Sequence, residues 1–230
     1  MVDVGISADE LAKIYPCLYH MAEPGSWPSI CQLGLLSTRA LLDQLGVTVK
    51  ERTKIESTHR PESMSIYHAK FGRVTFRDQA PMNERILKRK LDGMEPREWY
   101  EFLNGMVFFW ATEQRVMELS KAKLYRDRTH CVLTVNTREL LKRYEDRVRL
   151  SPINSGSTIY NAKRRGRDTF LPLNKYPFAE RKALRGRANA VAELTVQYAV
   201  PDIREFTIEV RDIRAGNVEK IVYAAPNVEI

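Results

Sequence analysis

Two residues of this sequence combine a side chain suited to acid–base or electrostatic chemistry with an apolar, strand-like setting. His20 ends the apolar run at residues 17–20, which predicts a short buried strand that delivers the imidazole to an edge or cleft. Glu193 interrupts the apolar run at residues 191–196, where a carboxylate is costly unless it faces water, a partner or a site. Each has a plainer alternative: His20 satisfied by a neighbouring carbonyl group, or Glu193 directed to solvent from a half-exposed strand.

Aromatic, glycine, serine and arginine residues accompany these two. Residues 106–110, Met-Val-Phe-Phe-Trp, are the strongest buried-strand signal, and they are core by default since only one face of a strand can line a site. Gly34 stands where a left-handed helix C-cap is expected, and glycine there lets the backbone approach a ligand closely. Ser37 is a good N-cap for the next helix. Arg77 and Arg115 suit a pyrophosphate, with solvated surface charge as the alternative, which we favour for Arg77.

The elements that must hold these residues are short helices and short strands. Hydrophobic periodicity and capping residues predict helices at 8–14, 27–32, 38–45, 81–91, 96–103, 113–120 and 137–144. Strands are predicted at 17–20, 73–76, 106–110, 131–135, 191–196, 206–210 and 218–223. A polar stretch around 46–72 is hard to assign, and residues 155–189 predict a long, partly ordered loop region. We expect an α+β fold in one domain over 1–230, with a twisted mixed or split sheet and helices mostly in the first two-thirds.

Composition limits the class of protein. The chain has 230 residues, 43% of them hydrophobic, and a formal net charge of +8. That charge favours a polyanionic partner or substrate, such as nucleic acid or a dinucleotide, although solubility alone explains such a charge too. The three cysteines have no CxxC spacing, so we expect neither a disulfide framework nor a zinc site. No apolar run is long enough to cross a bilayer, and we expect a cytoplasmic protein without a membrane partner.

Taken together, these segments resemble a known family. Leu18-Tyr19-His20, followed by Ser29-Ile30 and by Gly34-Leu35-Leu36-Ser37, resembles the opening motif of the ADP-ribosyltransferase superfamily, closest to its DarT-type nucleic-acid branch. In that superfamily a histidine strand comes first, an aromatic strand second and a glutamate strand third, which is the order of His20, residues 108–110 and Glu193 here. The second motif departs from the family's usual tyrosine, so the stacking residue is either Phe109 or Trp110.

The resemblance implies a split-sheet, ADP-ribosyltransferase-like fold and an enzyme that cleaves NAD⁺ as its substrate and uses no metal. Glu193 would stabilise the oxocarbenium-like ribose, and His20 would orient the other ribose. An aromatic face would stack on nicotinamide. The remaining residues expected to contact the dinucleotide are Tyr19, Gly34, Ser37, Arg115 and Arg77.

The segment before Glu193 is basic and dotted with aromatic residues. Its cations include Lys163, Arg164, Arg165 and Arg167. Its aromatic residues are Tyr160, Phe170, Tyr176 and Phe178. Cations and stacking rings together favour a surface for DNA or RNA, and the resemblance implies that this loop meets the acceptor of ADP-ribose. A solvated loop is an equal alternative.

Other function classes stay open. A basic α+β domain that binds nucleic acid without chemistry explains the charge but not the paired histidine and glutamate strands. An NAD⁺ glycohydrolase on the same fold is a further alternative, whereas 2′-phosphotransfer lacks its additional arginine and histidine motifs. No GxSxG, P-loop or GxGxxG motif is present. A toxin, a defence factor and a repair enzyme are equally compatible with such a sequence.

Overall fold

The fold consists of short helices around one large sheet and two small ones. The computed structural model describes residues 5–159 and 161–226. The α-helices within these ranges are α1 (Ala8–Ile14), α2 (Trp27–Leu33), α3 (Thr38–Leu45), α4 (Val49–Glu56), α5 (Glu84–Lys90), α6 (Pro96–Asn104), α7 (Glu113–Lys121), α8 (Thr137–Tyr144), α9 (Phe178–Arg185) and α10 (Ile203–Phe206). The strands are β1 (Cys17–Ala22), β2 (Leu35–Leu36), β3 (Met64–His68), β4 (Gly72–Phe76), β5 (Met106–Trp110), β6 (Thr129–Asn136), β7 (Val148–Ser151), β8 (Glu193–Gln197), β9 (Ala199–Val200), β10 (Thr207–Arg214) and β11 (Asn217–Ala224).

The large sheet has seven strands in the order β11-β10-β6-β1-β5-β8-β7. Neighbouring strands in it are antiparallel at every pairing. The predicted α+β fold is therefore confirmed, whereas a sheet of mixed direction is wrong for the strands described. Eight of the ten helices within the described ranges precede residue 145, in agreement with the predicted distribution.

The sheet is nearly divided between β1 and β5. Strand β1 pairs with β6 over six register positions, from Cys17 with Asn136 to Ala22 with Cys131. It pairs with β5 at a single position, Tyr19 with Trp110. Because the two halves separate beyond that position, the backbone edges of β1 and β5 diverge and a cleft opens between them.

Apolar side chains from both halves form a continuous core under the sheet. Strand β6 is buried from His130 to Val135, as expected for a central strand covered on both faces. Helix α3 shows how local sequence sets an element: Ser37 accepts a hydrogen bond from the Ala40 amide, and Gly46 ends the helix in the left-handed conformation. The helix buries Leu42 against the hairpin formed by β3 and β4.

Three regions differ from the elements predicted. The polar stretch around 46–72 folds into α4 and most of the β3–β4 hairpin. The region 155–189, predicted as a loop, contains α9 and short 3₁₀ turns. Strand β7 was not predicted, and it pairs with β8 at the edge of the sheet. None of the helices in residues 5–159 and 161–226 is both long and apolar enough to traverse a lipid bilayer.

Candidate active site

The cleft between the two halves of the sheet forms a cavity of about 1290 Å³. This exceeds the usual ~300–1,000 Å³ of small-molecule sites, so it has room for a dinucleotide and part of a second reactant. One wall comes from the ends of β1, β5 and β8, which contribute His20, Trp110 and Glu193. The facing wall comes from the β3–β4 hairpin, with Arg73 and Thr75 among its lining residues.

His20 joins the two halves of the sheet where they part. Its Nδ1 lies 2.8 Å from the carbonyl oxygen of Phe108, and because a carbonyl only accepts, Nδ1 carries the proton. Burial lowers the pKa of His20 to about 4, so the ring is neutral near pH 7. Nε2 is then an acceptor, and no residue in the described ranges donates to it. The hydrogen bond to the Phe108 carbonyl is the plainer role expected for His20. The same bond fixes the tautomer of the ring and leaves Nε2 as a hydrogen-bond acceptor at the cleft.

Glu193 is buried, with 4% of its surface exposed. It is the first residue of β8 and lies in register between Trp110 of β5 and Ser151 of β7, so strands cover it on both sides. The Ser155 amide donates to both carboxylate oxygens at 3.2 Å. The alternative in which Glu193 faces solvent from a half-exposed strand is therefore wrong.

A tight turn after β7 brings Ser155 over the carboxylate. Ser151 Oγ donates to the Ile153 carbonyl, and the Ile153 amide donates back to Ser151 Oγ, which bends the chain at Pro152. The Ser155 hydroxyl is buried and makes no hydrogen bond that meets standard geometry within the described ranges. It still faces the Glu193 carboxylate closely enough to lower the pKa of that group, so the side chain and the amide of Ser155 both act on Glu193.

The environment of Glu193 favours its protonated form. Burial raises the pKa of Glu193 to about 7, against the opposing effects of Ser155 and of the nearby Arg115 and Arg165 charges. A carboxyl group that titrates near neutrality in a cleft can accept a proton during a reaction and is ionised in about half of the molecules near pH 7. Structural carboxylates in surface ion pairs do not have this property.

The two candidate stacking rings have different surroundings. Phe109 also borders the cleft but belongs to the main core at 1% exposure, and it makes a T-shaped contact with the His20 ring at a centroid distance of 5.8 Å. Trp110 is half-buried, lines the cleft and is directly opposite Glu193 in the strand register. Of the two, Trp110 is the ring that a planar ligand beside Glu193 can reach.

Arg77, Gly34 and Ser37 all line the cleft, and each also has a structural task. Arg77 forms an ion pair with Glu23 at 3.3 Å and donates to the Ala22 carbonyl. Gly34 has φ of 82°, and a Cβ there would lie 2.3 Å from the Pro201 backbone, so close packing within the chain already requires glycine. Ser37 is 2% exposed and caps α3, which leaves its hydroxyl engaged.

Tyr19 and Arg115 are not among the residues that line the cleft, so their expected contacts with the dinucleotide remain predictions that the cleft does not support. Tyr19, the register partner of Trp110, lines a separate hollow of about 230 Å³. Arg115 donates to Asn189 Oδ1 at 3.0 Å and acts on Glu193 only through its charge.

The predicted nucleic-acid residues do not form one exposed set. Lys163, Arg164 and Arg167 are exposed but do not line the cleft. Arg165 is 3% exposed and bonded to backbone carbonyls, so its predicted contact with nucleic acid is wrong. The expected stacking rings are also wrong where the structure describes them, because these side chains are in the core: Phe170, Tyr176 and Phe178. Tyr160 lies outside the described residues.

Sequence reasoning missed Ser155, Arg165 as a structural residue, and the hairpin wall. Ser155 had no local signal, because its contact with Glu193 spans 38 positions. The hairpin did have one: Met64, Ile66 and His68 alternate with exposed residues. Within the described ranges no group of three or more His, Cys, Asp or Glu side chains is arranged to hold a metal ion.

Comparison with known proteins assigns a family. A family model described as a family of unknown function (DUF7002) matches residues 16–207, well over half of the chain. The chain belongs to this family. The matched range includes β1 and β8, which carry His20 and Glu193. A search of curated proteins finds no match.

Proposed function

We propose that this member of the DUF7002 family is an ADP-ribosyltransferase that cleaves NAD⁺ in the cleft between β1 and β5. The observation that carries the proposal is the buried Glu193 carboxylate, which lines the same cleft as a neutral histidine acceptor and a half-buried tryptophan. These three groups come from three strands, in the order that the resemblance requires.

Cleavage of NAD⁺ requires the protein to stabilise the positive charge that develops on the ribose, and it requires no covalent bond between the protein and the substrate. The bond between ribose C1′ and the nicotinamide nitrogen breaks, and its electron pair stays on that nitrogen, which neutralises the pyridinium charge. The ribose becomes oxocarbenium-like, and the ionised Glu193 beside it stabilises the positive charge in surroundings of low polarity. An acceptor then bonds to C1′, and its proton passes to the Glu193 carboxylate, whose pKa of about 7 suits that role.

The other cleft residues position the dinucleotide. His20 Nε2 accepts a hydrogen bond from a ribose hydroxyl, since Nδ1 already donates to the Phe108 carbonyl. Trp110 offers a face to the nicotinamide ring beside Glu193. Arg77 retains guanidinium N–H groups for a pyrophosphate oxygen beyond those it donates to Ala22 and His130.

The acceptor that we propose is nucleic acid. Backbone hydrogen bonds of 2.9 Å, from Arg165 N to the Lys90 carbonyl and from Asp92 N to the Arg165 carbonyl, bring the basic segment against the end of α5. The exposed cations of the two segments are Arg85, Lys88, Arg89, Lys163, Arg164 and Arg167. We name this surface the basic ridge. The chain connects it to the cleft through Pro81, which lines the cleft just before α5 and whose carbonyl accepts a hydrogen bond from Thr158 N.

The chemistry of the basic ridge suits a phosphate backbone. Arg85, Arg89 and Arg167 form no ion pair with any residue in the described ranges, and guanidinium groups bind phosphate in two-point contacts. The large exposed apolar side chains of the described residues lie outside α5 and outside 163–167. A protein interface normally places such side chains at its centre, so their absence here favours a polyanion.

The test uses labelled NAD⁺ with separate pools of DNA, RNA and protein. Wild type and Glu118→Gln, a control on an exposed glutamate of α7, should release nicotinamide and transfer label to a nucleic-acid pool. Glu193→Gln should do neither. Nicotinamide release without transfer of label would contradict the transferase proposal and favour an NAD⁺ glycohydrolase. Nucleic-acid binding without any NAD⁺ turnover would favour a nucleic-acid-binding domain that is not an enzyme.

The ridge has its own test. Arg164→Glu combined with Arg167→Glu should reduce the salt slope of single-strand binding by about 1.4, at ~0.7 per phosphate contact. The matched control reverses two ion-paired cations of α8, Arg138 and Lys142, and should leave the slope unchanged. An unchanged slope in the ridge variant would remove nucleic acid as the acceptor bound there.

A further inference from the structure

Arg165 is a buried cation beside the candidate site whose guanidinium group is held by three backbone carbonyls. Its Nη1 donates to the carbonyls of Ser155 and Ser157 at 2.9 Å, and its Nε donates to the Lys163 carbonyl at 3.1 Å. Its own backbone is fixed by two hydrogen bonds of 2.9 Å to the segment that follows α5. A guanidinium group bonded this way is a rigid connection between the α5 side of the cleft and the loop at 155–157.

That loop supplies the hydrogen bond donor to Glu193. The Ser155 amide, which bonds both carboxylate oxygens, belongs to the residue whose carbonyl Arg165 holds. If the carbonyl were released, the peptide planes on either side of Ser155 could rotate, and the amide would no longer be fixed toward the carboxylate. No other side chain in the described ranges donates to the Ser155 carbonyl.

We infer that Arg165 is a positioning residue for Glu193: by clamping the carbonyls of Ser155 and Ser157 it holds the Ser155 amide on the carboxylate. The inference deepens the proposed function and rests on it for its kinetic consequence. Its structural consequence stands independently, because the link between Arg165, Ser155 and Glu193 can be measured without NAD⁺.

The charges that face Glu193 determine how the clamp affects titration. Two cations act on the carboxyl group, Arg115 from α7 and Arg165 itself, and both lower the pKa of Glu193, as does the Ser155 amide. Replacing Arg165 with glutamine removes its charge and the clamp together, whereas lysine keeps a charge but cannot reproduce the three-carbonyl contact. Arg115 is unchanged in both variants, so its effect on the pKa of Glu193 stays the same.

The experiment compares Arg165→Lys, Arg165→Gln and the neighbouring control Arg164→Gln, whose guanidinium is exposed and pairs with Asp92. Carboxyl ¹³C NMR, assigned with Glu193→Gln, follows the titration of Glu193, and amide exchange follows Ser155. We expect the pKa of Glu193 to rise in Arg165→Lys and further in Arg165→Gln, with faster exchange of the Ser155 amide in both. Arg164→Gln should match wild type in these two NMR measurements, which do not involve nucleic acid.

The kinetic part separates positioning from simple loss of structure. If NAD⁺ is turned over, Arg165→Lys should lower kcat by about 100-fold with little change in KM, since a small misplacement of a reacting group costs that much and Arg165 does not touch the substrate. A folded Arg165→Lys with wild-type Ser155 exchange and Glu193 titration would overturn the inference. Absence of NAD⁺ turnover in wild type, with the NMR changes present, would instead overturn the proposed function.

Discussion

Replacing Glu193 with glutamine should make the protein more stable at neutral and alkaline pH. Burial raises the pKa of Glu193 from 4.5 to about 7, so the folded state binds a proton more tightly than the unfolded state. A raised folded-state pKa means that stability is fully present below pH 4.5 and is lost as the pH rises toward and through 7. Glutamine has nearly the same shape, cannot ionise and keeps one oxygen for the Ser155 amide.

The magnitude follows from the shift. A change of about 2.5 pKa units corresponds to about 3 kcal/mol at full ionisation, of which about 2 kcal/mol develops between pH 5 and pH 8. For a chain of this size, a change of about 2 kcal/mol in the free energy of unfolding shifts Tm by roughly 4–8 °C, at about 2–4 °C per kcal/mol. Burial lowers the pKa of His20 from 6.5 to about 4, so ionisation of His20 in the unfolded state also changes stability within this interval, but His20 is present in both proteins and its effect cancels in the comparison.

The assay is urea unfolding of wild type and Glu193→Gln at several values between pH 5 and pH 8, with Glu118→Gln as the control. The stability of Glu193→Gln relative to wild type should increase across this range, while Glu118→Gln should follow wild type. Parallel pH profiles for wild type and Glu193→Gln would refute the reasoning, because they would mean that burial does not perturb the carboxyl group.

Three further predictions concern the cleft and its support. Saturating NAD⁺, at about 100 times its Kd, should stabilise the wild type by about 2.7 kcal/mol in a thermal shift assay, and His20→Ala should reduce this; no shift in wild type at millimolar NAD⁺ would count against the site. The kcat/KM for NAD⁺ should fall as the pH drops through about 7, since Glu193 must be ionised; a flat profile would exclude it as the stabilising group. Gly34→Ala should lower the free energy of unfolding by about 3 kcal/mol or more in urea, because of the positive φ and the close contact with Pro201. Gly46→Ala has a positive φ but open space around it, and should lower the free energy of unfolding by about 1 kcal/mol. Equal losses in the two variants would contradict the packing argument.

The sequence predicted best the elements whose signals are local. Helices α1, α3 and α8 and strand β5 were predicted with the bounds they have, because a capping residue or an unbroken apolar run marks each of them. Of the β3–β4 hairpin, only β4 was predicted, as a strand at 73–76. Strand β3 was missed because its outward residues, Ser65 and Tyr67, make the segment polar, and its apolar face is buried only once α3 and α4 are in place.

The candidate site was predictable only in part. Residue type and strand context indicated His20 and Glu193, but the burial of Glu193 depends on β7 and on the turn that returns Ser155 to it. Arg165 was misjudged for the same reason: within a basic run it is indistinguishable from Arg164, and only contacts with distant carbonyls separate a buried clamp from a solvated charge. Such long-range pairings leave no periodic signal in the chain.

The central claim is that NAD⁺ occupies the cleft with its nicotinamide ribose at Glu193. The most direct measurement is a crystal structure of Glu193→Gln soaked or grown with NAD⁺, since this variant should bind the dinucleotide without cleaving it. The account predicts intact NAD⁺, with a ribose hydroxyl hydrogen-bonded to residue 193, the nicotinamide ring against Trp110 and the other ribose at His20 Nε2. NAD⁺ bound elsewhere, or an empty cleft at millimolar NAD⁺, would contradict it.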